Sequence, residues 1–303
     1  MILVAGESLV DLITDPMTGR TVAHAGGSPA NVATALARLG QPVSLLTQIG
    51  ADSHGRLLLD HLTGSGVRFT ADSLLDDAPT SVARTDVNAD GHASYTFNLR
   101  WRSFRGTVPP GTQCVHTGSA AAVVSPGAQS VAALLREARG SATISYDPNC
   151  RPSLMGDPER ARRRVEALIG MSDIVKISLD DLAWLYPNQP YRQVAEGWLE
   201  RGIRLAVVTL GAAGAWATTH LRSSTVNAVP VEVADTVGAG DAFTAGLLFA
   251  CAERNLLGAD RRDALADMDE TARTATLRFA AHTAAITCGR RGADPPLLAE
   301  LPR

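Results

Sequence analysis

The chain has 303 residues, 45% of them apolar, with 28 Lys and Arg against 31 Asp and Glu for a net charge of −3. That length admits one large α/β domain or two ordinary ones, and the apolar fraction fills a substantial core. Charges of both signs are interspersed, which excludes a basic footprint for nucleic acid or a membrane surface and leaves small molecules as the expected partners. Cys114, Cys150, Cys251 and Cys288 are far apart and form no C-x-x-C pair, which argues against a zinc site or a disulfide framework. They read as cytosolic thiols. The N-terminus has no basic n-region, and no apolar run approaches the roughly 20 residues of a transmembrane helix, so a cytoplasmic location is expected.

The first element, Ile2-Leu3-Val4-Ala5, is strand-like, and residues 13–25 then depart from the pattern of the rest. From Ala25 a helix opens: Gly26 and Gly27 precede Ser28 as the expected N-cap, Pro29 takes the first helical position, and Gly40 ends an apolar stripe of Val32, Ala35, Leu36 and Leu39. Glycines there bring backbone close to a polyol, and Asn31 offers both donors and an acceptor. Short apolar runs at 43–47, 113–117, 143–146, 174–177 and 205–210 alternate with helical stretches such as 128–139 and 159–169. This alternation predicts β-α units and a parallel sheet covered on both faces. Residues 81–97 alternate about Asp90-Gly91 and read as a β-hairpin with no helix nearby in sequence to cover it. His116 ends a core strand and reads as structural. No internal repeat or low-complexity linker is visible.

The most informative stretch comes late. Residues 229–233 alternate enough to read as extended, Asp235-Thr236-Val237-Gly238-Ala239-Gly240-Asp241 follows, and 241–250 has the apolar density of a buried helix. Gly238 and Gly240 leave no side chain over the turn, so the N–H groups of Ala239, Gly240 and Asp241 can face one concavity at the positive end of the helix, where they would hold an anion. A carboxylate beside an anion hole repels a ligand that only binds, but suits a base that takes a proton from an attacking hydroxyl. The alternative, a glycine turn with an acidic cap, is common in α/β proteins. There is no G-x-x-x-x-G-K-[ST], and Gly238-Ala239-Gly240 lacks the third glycine of a dinucleotide fingerprint.

Together, the 25–40 and 235–243 stretches resemble the two signatures of the ribokinase-like, or phosphofructokinase B type, sugar kinases, in order and at that family's separation. The Asp147-Pro148-Asn149-Cys150-Arg151 segment resembles that of fructokinase-like and ketodeoxygluconate-kinase-like members, and with Gly26-Gly27-Ser28-Pro29-Ala30-Asn31 it leans towards the fructokinase-like branch. The resemblance implies an α/β fold with a three-layer, doubly wound, mostly parallel sheet, one domain over 1–303, and a small β-sheet lid from strands at about 12–25 and 80–100. It also implies an ATP-dependent kinase acting on a primary hydroxyl of a small sugar, most readily fructose or a related ketose, with Mg2+ and, in some members, K+. Alternatives are a 2-keto-3-deoxygluconate, ribose or nucleoside kinase, or a sugar-binding regulatory protein without turnover. A homodimer through the lid is implied as well.

Residue by residue, the resemblance assigns catalysis to Asp241 with Gly238, Ala239 and Gly240. Sugar contacts fall on Asp11, Gly26, Gly27, Asn31, Tyr95, Phe97 and Arg151, although Asp11 also reads as a solvated loop acid and the two aromatics as simple packing. The nucleotide side falls on Ser178, Asp181, Thr209, Gly211, Gly214 and Gly292. Asp181 would reach Mg2+ through water, with Asp180 as a substitute, and Asp235, Val237, Arg290 and Gly292 would surround K+.

Overall fold

Strands of aliphatic residues lie side by side in the computed structural model, which describes residues 1–14, 18–75, 77–87 and 93–302, and only the backbone of 74, 85–87 and 93–95. Nine of them form the main sheet, in the order Ser223–Val226, Ala215–Thr218, Leu205–Thr209, Ile174–Ser178, Thr143–Asp147, Cys114–Gly118, Ile2–Ala5, Val43–Leu46 and Arg68–Phe69. The seven from Leu205–Thr209 to Arg68–Phe69 pair in parallel, and the last two pairings toward Ser223–Val226 are antiparallel. Chain order runs outward on both sides of Ile2–Ala5, which is the doubly wound pattern expected from the sequence.

Side chains alternate across this sheet with period two. Ile2 and Val4 join one apolar layer with Leu36, Phe243, Leu247 and Leu277, whereas Leu3 and Ala5 join the other with Val131, Leu135, Val165 and Trp198. Helices Ser28–Arg38, Ala239–Glu253 and Glu270–Cys288 supply the first layer, and Gly127–Ala138, Pro158–Ile169 and Tyr191–Glu200 the second. The three-layer architecture is thus borne out.

A second sheet of four strands stands apart, in the order Thr21–Gly26, Leu9–Thr14, Val82–Val87 and Ala93–Asn98. Leu9–Thr14 pairs antiparallel with Thr21–Gly26 and parallel with Val82–Val87. The expected hairpin pairs from Val82 opposite Asn98 to Val87 opposite Ala93. Its turn residues Asp90 and Gly91 lie outside the described residues. The sheet begins earlier than the expected residue 12, at Leu9, because Val10 and Leu12 bury one face against the first apolar layer.

Several local expectations fail, among them the placing of His116 at a strand end, since it lies in the middle of Cys114–Gly118. Residues 229–233 form no strand: Val231 and Val233 are 40% and 60% exposed, and the chain there is an irregular crossing after Ser223–Val226. Ser28 is the first residue of its helix and not the cap, which is Gly27 with φ 99° and no side chain to offer.

Candidate active site

Parallel strands present their C-terminal ends to one side of an α/β sheet, and a ligand crevice forms where the winding reverses. The segments after Ile2–Ala5, Cys114–Gly118, Thr143–Asp147, Ile174–Ser178 and Leu205–Thr209 all open there. They carry Glu7, Ser119, Arg151, Asp181 and Gly211 respectively.

Asp241 sits in the first turn of helix Ala239–Glu253, whose cap Gly238 has the left-handed φ of 76° that a glycine adopts without strain. The residue is 7% exposed. Ser28 Oγ donates to Oδ1 at 2.6 Å and Asn31 Nδ2 to Oδ2 at 2.8 Å, so helix Ser28–Arg38 holds both oxygens. This explains why Ser28 does not cap: its hydroxyl is spent on a residue 213 positions away. Burial pushes the Asp241 carboxyl above the ordinary carboxylate range, while Ser28 and Asn31 pull it back. Ala239 N–H turns back to Thr236 O at 3.3 Å, which removes it from the expected trio. Among the described residues no acceptor pairs with the N–H of Gly240 or Asp241, and these two donors remain at the positive helix end.

Behind that turn lies a buried ion pair, Lys176 Nζ to Asp147 Oδ2 at 2.8 Å. Sequence reasoning took Lys176 and Asp147 only as parts of longer segments. The signal was there: Lys176 is the one charge in the strand Ile174–Ser178, flanked by Ile174, Val175 and Ile177, and such a charge needs a partner.

Asp11, which also read as a solvated loop acid, lies inside strand Leu9–Thr14, opposite His24 on one side and Ala83 on the other. Ala83 in turn pairs with Phe97, so Asp11, His24, Ala83 and Phe97 form one row across a single face of the small sheet. Val10 and Leu12 point the opposite way, into the core. Tyr95 pairs with Thr85 in the same hairpin, and its side chain is outside the described atoms. Burial raises Asp11 to about 6, with His24 and Arg151 pulling it down and Asp241 pushing it up. Asp11, from the small sheet, and Asp241, from helix Ala239–Glu253, therefore share one electrostatic neighbourhood. Gly26 leaves space for the Asp11 carboxylate, and Gly27 sits against the backbone of Glu7 and Ser8.

Arg151 is anchored on its own loop: Nη1 donates to Asn149 Oδ1 at 2.7 Å and to Cys150 O at 3.0 Å. Its charge acts on Asp11 and on Glu7. Glu7, missed in the sequence, is a buried carboxyl that accepts from Ala121 N–H at 3.0 Å, and burial lifts it to about 7.

Across the crevice, Ser178 caps helix Leu179–Leu185 by accepting from Asp181 N–H at 3.0 Å. Asp181 Oδ1 accepts from Cys150 N–H at 3.0 Å, tying this helix to the Arg151 loop, and burial raises its carboxyl. Asp180 is exposed. Among the described residues no group of three or more His, Cys, Asp or Glu could hold a metal ion. A lone carboxylate such as Asp181 fits a Mg2+ held chiefly by phosphate and water. Thr209 ends its strand, and Gly211 and Gly214 frame a 3-10 turn closed by Leu210 N–H to Gly214 O at 2.8 Å. Asp235 pins two loops together, with Oδ1 accepting from Val237 N–H at 3.0 Å and Oδ2 from Gly292 N–H at 2.9 Å. Arg290 directs its guanidinium away, to Glu300 at 2.5 Å, so only its backbone is available to that loop.

A comparison with known families decides what this crevice belongs to: the profile described as pfkB family carbohydrate kinase matches residues 1–300. The chain belongs to the pfkB family of carbohydrate kinases. This pfkB-family kinase is 36% identical over 282 residues to a fructokinase of Rhizobium leguminosarum bv. trifolii, covering 90% of this chain and 85% of the relative. Its structure superposes on a fructokinase with bound ATP from Xylella fastidiosa with a TM-score of 0.87 and 28% identity, covering 99% and 96% of the two chains. A fructokinase variant from Vibrio cholerae O395, in a form binding fructose, ADP and potassium, gives 0.78 and 26%, covering 96% and 93%. The fructokinase-like branch expected from the sequence is borne out. Among the described residues no helix is long and apolar enough to cross a membrane.

Proposed function

We propose that this carbohydrate kinase is an ATP-dependent fructokinase that moves the γ-phosphoryl group to a primary hydroxyl of a ketose. The observation that carries the reading is Asp241, a buried carboxylate with both oxygens fixed by Ser28 and Asn31 beside the helix donors of Gly240 and Asp241. Asp241 accepts the proton of the attacking hydroxyl while those N–H groups stabilise charge on the transferring phosphoryl group. Asp11, Asn31 and the Gly26-Gly27 backbone receive the sugar hydroxyls, and Phe97 covers the ring. Asp181 would help hold Mg2+, which would supply charge neutralisation to the phosphates of ATP. The 235–237 and 288–292 loops offer backbone oxygens to K+, and Thr209, Gly211 and Gly214 line the nucleotide.

A neutral ketose suits these residues better than a sugar acid, because Arg151 is already committed to Asn149 and Cys150 and its charge offsets Asp11 and Glu7. The four-stranded sheet acts as a lid that excludes water, a competing phosphoryl acceptor. Its outer residues Ile13 and Val22, 43% and 41% exposed, give a second copy an apolar contact there. The cytoplasm, where ATP is available, is the place we assign to it.

Coupled detection of ADP release with fructose, ribose and 2-keto-3-deoxygluconate at equal concentration tests the reading. Fructose is expected to give the highest kcat/KM. Turnover with none of the sugars would leave a binding protein, and preference for the acid would make Arg151 a carboxylate ligand.

A further inference from the structure

A buried ion pair is a weak device for stability, since desolving two charges offsets most of their attraction and apolar replacements are often neutral or better. Lys176 and Asp147, with side chains 6% and 3% exposed, form such a pair in the core. Their surroundings suggest another use. Asp147 Oδ2 takes the Lys176 ammonium at 2.8 Å and the Thr244 hydroxyl at 3.3 Å, while Oδ1 takes Asn149 N–H at 3.2 Å. Thr244 Oγ1 also lies 3.0 Å from Gly240 O, so the bonds run from the sheet into the first turn of helix Ala239–Glu253. Lys176 Nζ would lie 3.1 Å from a Cβ on Gly240. The ammonium thus abuts the residue before Asp241.

We propose that Lys176 and Asp147 are positioning residues for phosphoryl transfer: the pair braces the first turn of this helix, and the ammonium keeps Asp241 charged so that it can accept the proton. The inference rests on the reading of Asp241 as the base. Asp11 faces Asp241 from the small sheet, Ser28 and Asn31 from helix Ser28–Arg38, Asp147 from the end of Thr143–Asp147, and Lys176 from Ile174–Ser178. Asp181 adds a carboxylate that acts on Lys176, and Arg151 a cation that acts on Asp11. Lys176 is therefore the cation set against Asp147, Asp181 and Asp241 together, in a crevice that must also admit a polyphosphate.

The test compares the pH dependence of kcat/KM for Lys176→Met, Asp147→Asn, the double variant and Asp241→Asn, each checked for fold by circular dichroism and for affinity toward a non-hydrolysable ATP analogue. In Lys176→Met the acid limb is expected to move up by about one pH unit, about tenfold in rate at a pH on the limb. The double variant, with neither charge, is expected to return close to the wild-type limb. Should Lys176→Met fail to fold, Asp147→Asn alone decides: it leaves the ammonium unopposed and is expected to move the limb down. A limb unmoved in folded Lys176→Met, or in Asp147→Asn where the first does not fold, would overturn the proposal, as would a double variant no better than Lys176→Met. Asp241→Asn separates the two ideas, because wild-type turnover in that variant would remove the base itself.

Discussion

The Asp11 carboxylate occupies the space that a side chain on Gly26 would need. The two residues sit on paired strands of the small sheet, one register step apart diagonally, and Gly26 ends the strand that leads into helix Ser28–Arg38. On the proposed reading, Gly26→Ala displaces Asp11 from the sugar without touching the nucleotide side. The KM for fructose is expected to rise roughly tenfold or more, the worth of one hydrogen bond to a charged group, with nucleotide affinity unchanged. Steady-state kinetics and calorimetric titration with the ATP analogue check it.

Asp241→Asn is expected to keep the fold and lower kcat by roughly 10²- to 10⁴-fold, as for a positioned general base. Ser28→Ala is the subtler probe. It removes the 2.6 Å donor that pulls the Asp241 carboxyl down, so that carboxyl rises and the acid limb of kcat/KM shifts to higher pH. A limb that stays in place would mean that Ser28 serves packing alone.

Gly238 and Gly240 are expected to respond differently to alanine. At Gly238 the φ of 76° is combined with a Cβ that would come within 2.6 Å of the Ala293 Cβ, so stability falls by roughly 1–3 kcal/mol. At Gly240 the backbone is helical and the new methyl meets only the Lys176 ammonium, so turnover falls while the unfolding midpoint hardly moves. Denaturation curves measured beside kcat distinguish them.

Glu7 makes stability depend on pH. Its carboxyl lies near 4.5 when unfolded and at about 7 in the fold, so the folded state holds the extra proton between those values. The stabilisation is fully present below about 4.5 and is lost as pH rises through about 7. Wild type is therefore expected to lose on the order of 3 kcal/mol more than Glu7→Gln between the two ends of that window. Urea unfolding at about pH 5 and about pH 8 measures the difference, and parallel slopes for the two proteins would refute it.

Replacing residues 83–96 with a short Gly-Ser linker removes two strands of the small sheet and leaves the main sheet with both covering layers. Sugar KM is expected to rise steeply, ATP hydrolysis without sugar to become a larger share of turnover, and sedimentation to report a monomer. Unchanged sugar KM in the folded variant would show that these strands are not a lid.

The sequence was legible where the signal is local. Short apolar runs located the parallel strands, and the two glycine-bearing stretches at 25–40 and 235–243 identified the family, because a turn that approaches a ligand needs residues without side chains. It was misleading at 229–233, where alternation of Val and Glu mimics a strand but Pro230 lacks the amide donor a ladder needs, and no neighbouring strand takes the segment up. Ser28 read as a cap because serine before proline is a common helix start; nothing within ten residues announces an acceptor 213 positions away.

What the sequence by itself determined, then, was the alternation of apolar strands with helices and the family, since these depend on short-range periodicity and backbone conformation. The tertiary structure alone decided which charges face one another. Lys176 and Asp147 come from neighbouring strands 29 residues apart, Asp11 from a separate sheet, and Ser28, Asn31 and Asp241 from two helices that meet only after both pack on the same face. Hydrogen bonds and ion pairs act over a few ångströms in space whatever the distance along the chain, so their partners are fixed by packing and are invisible before it.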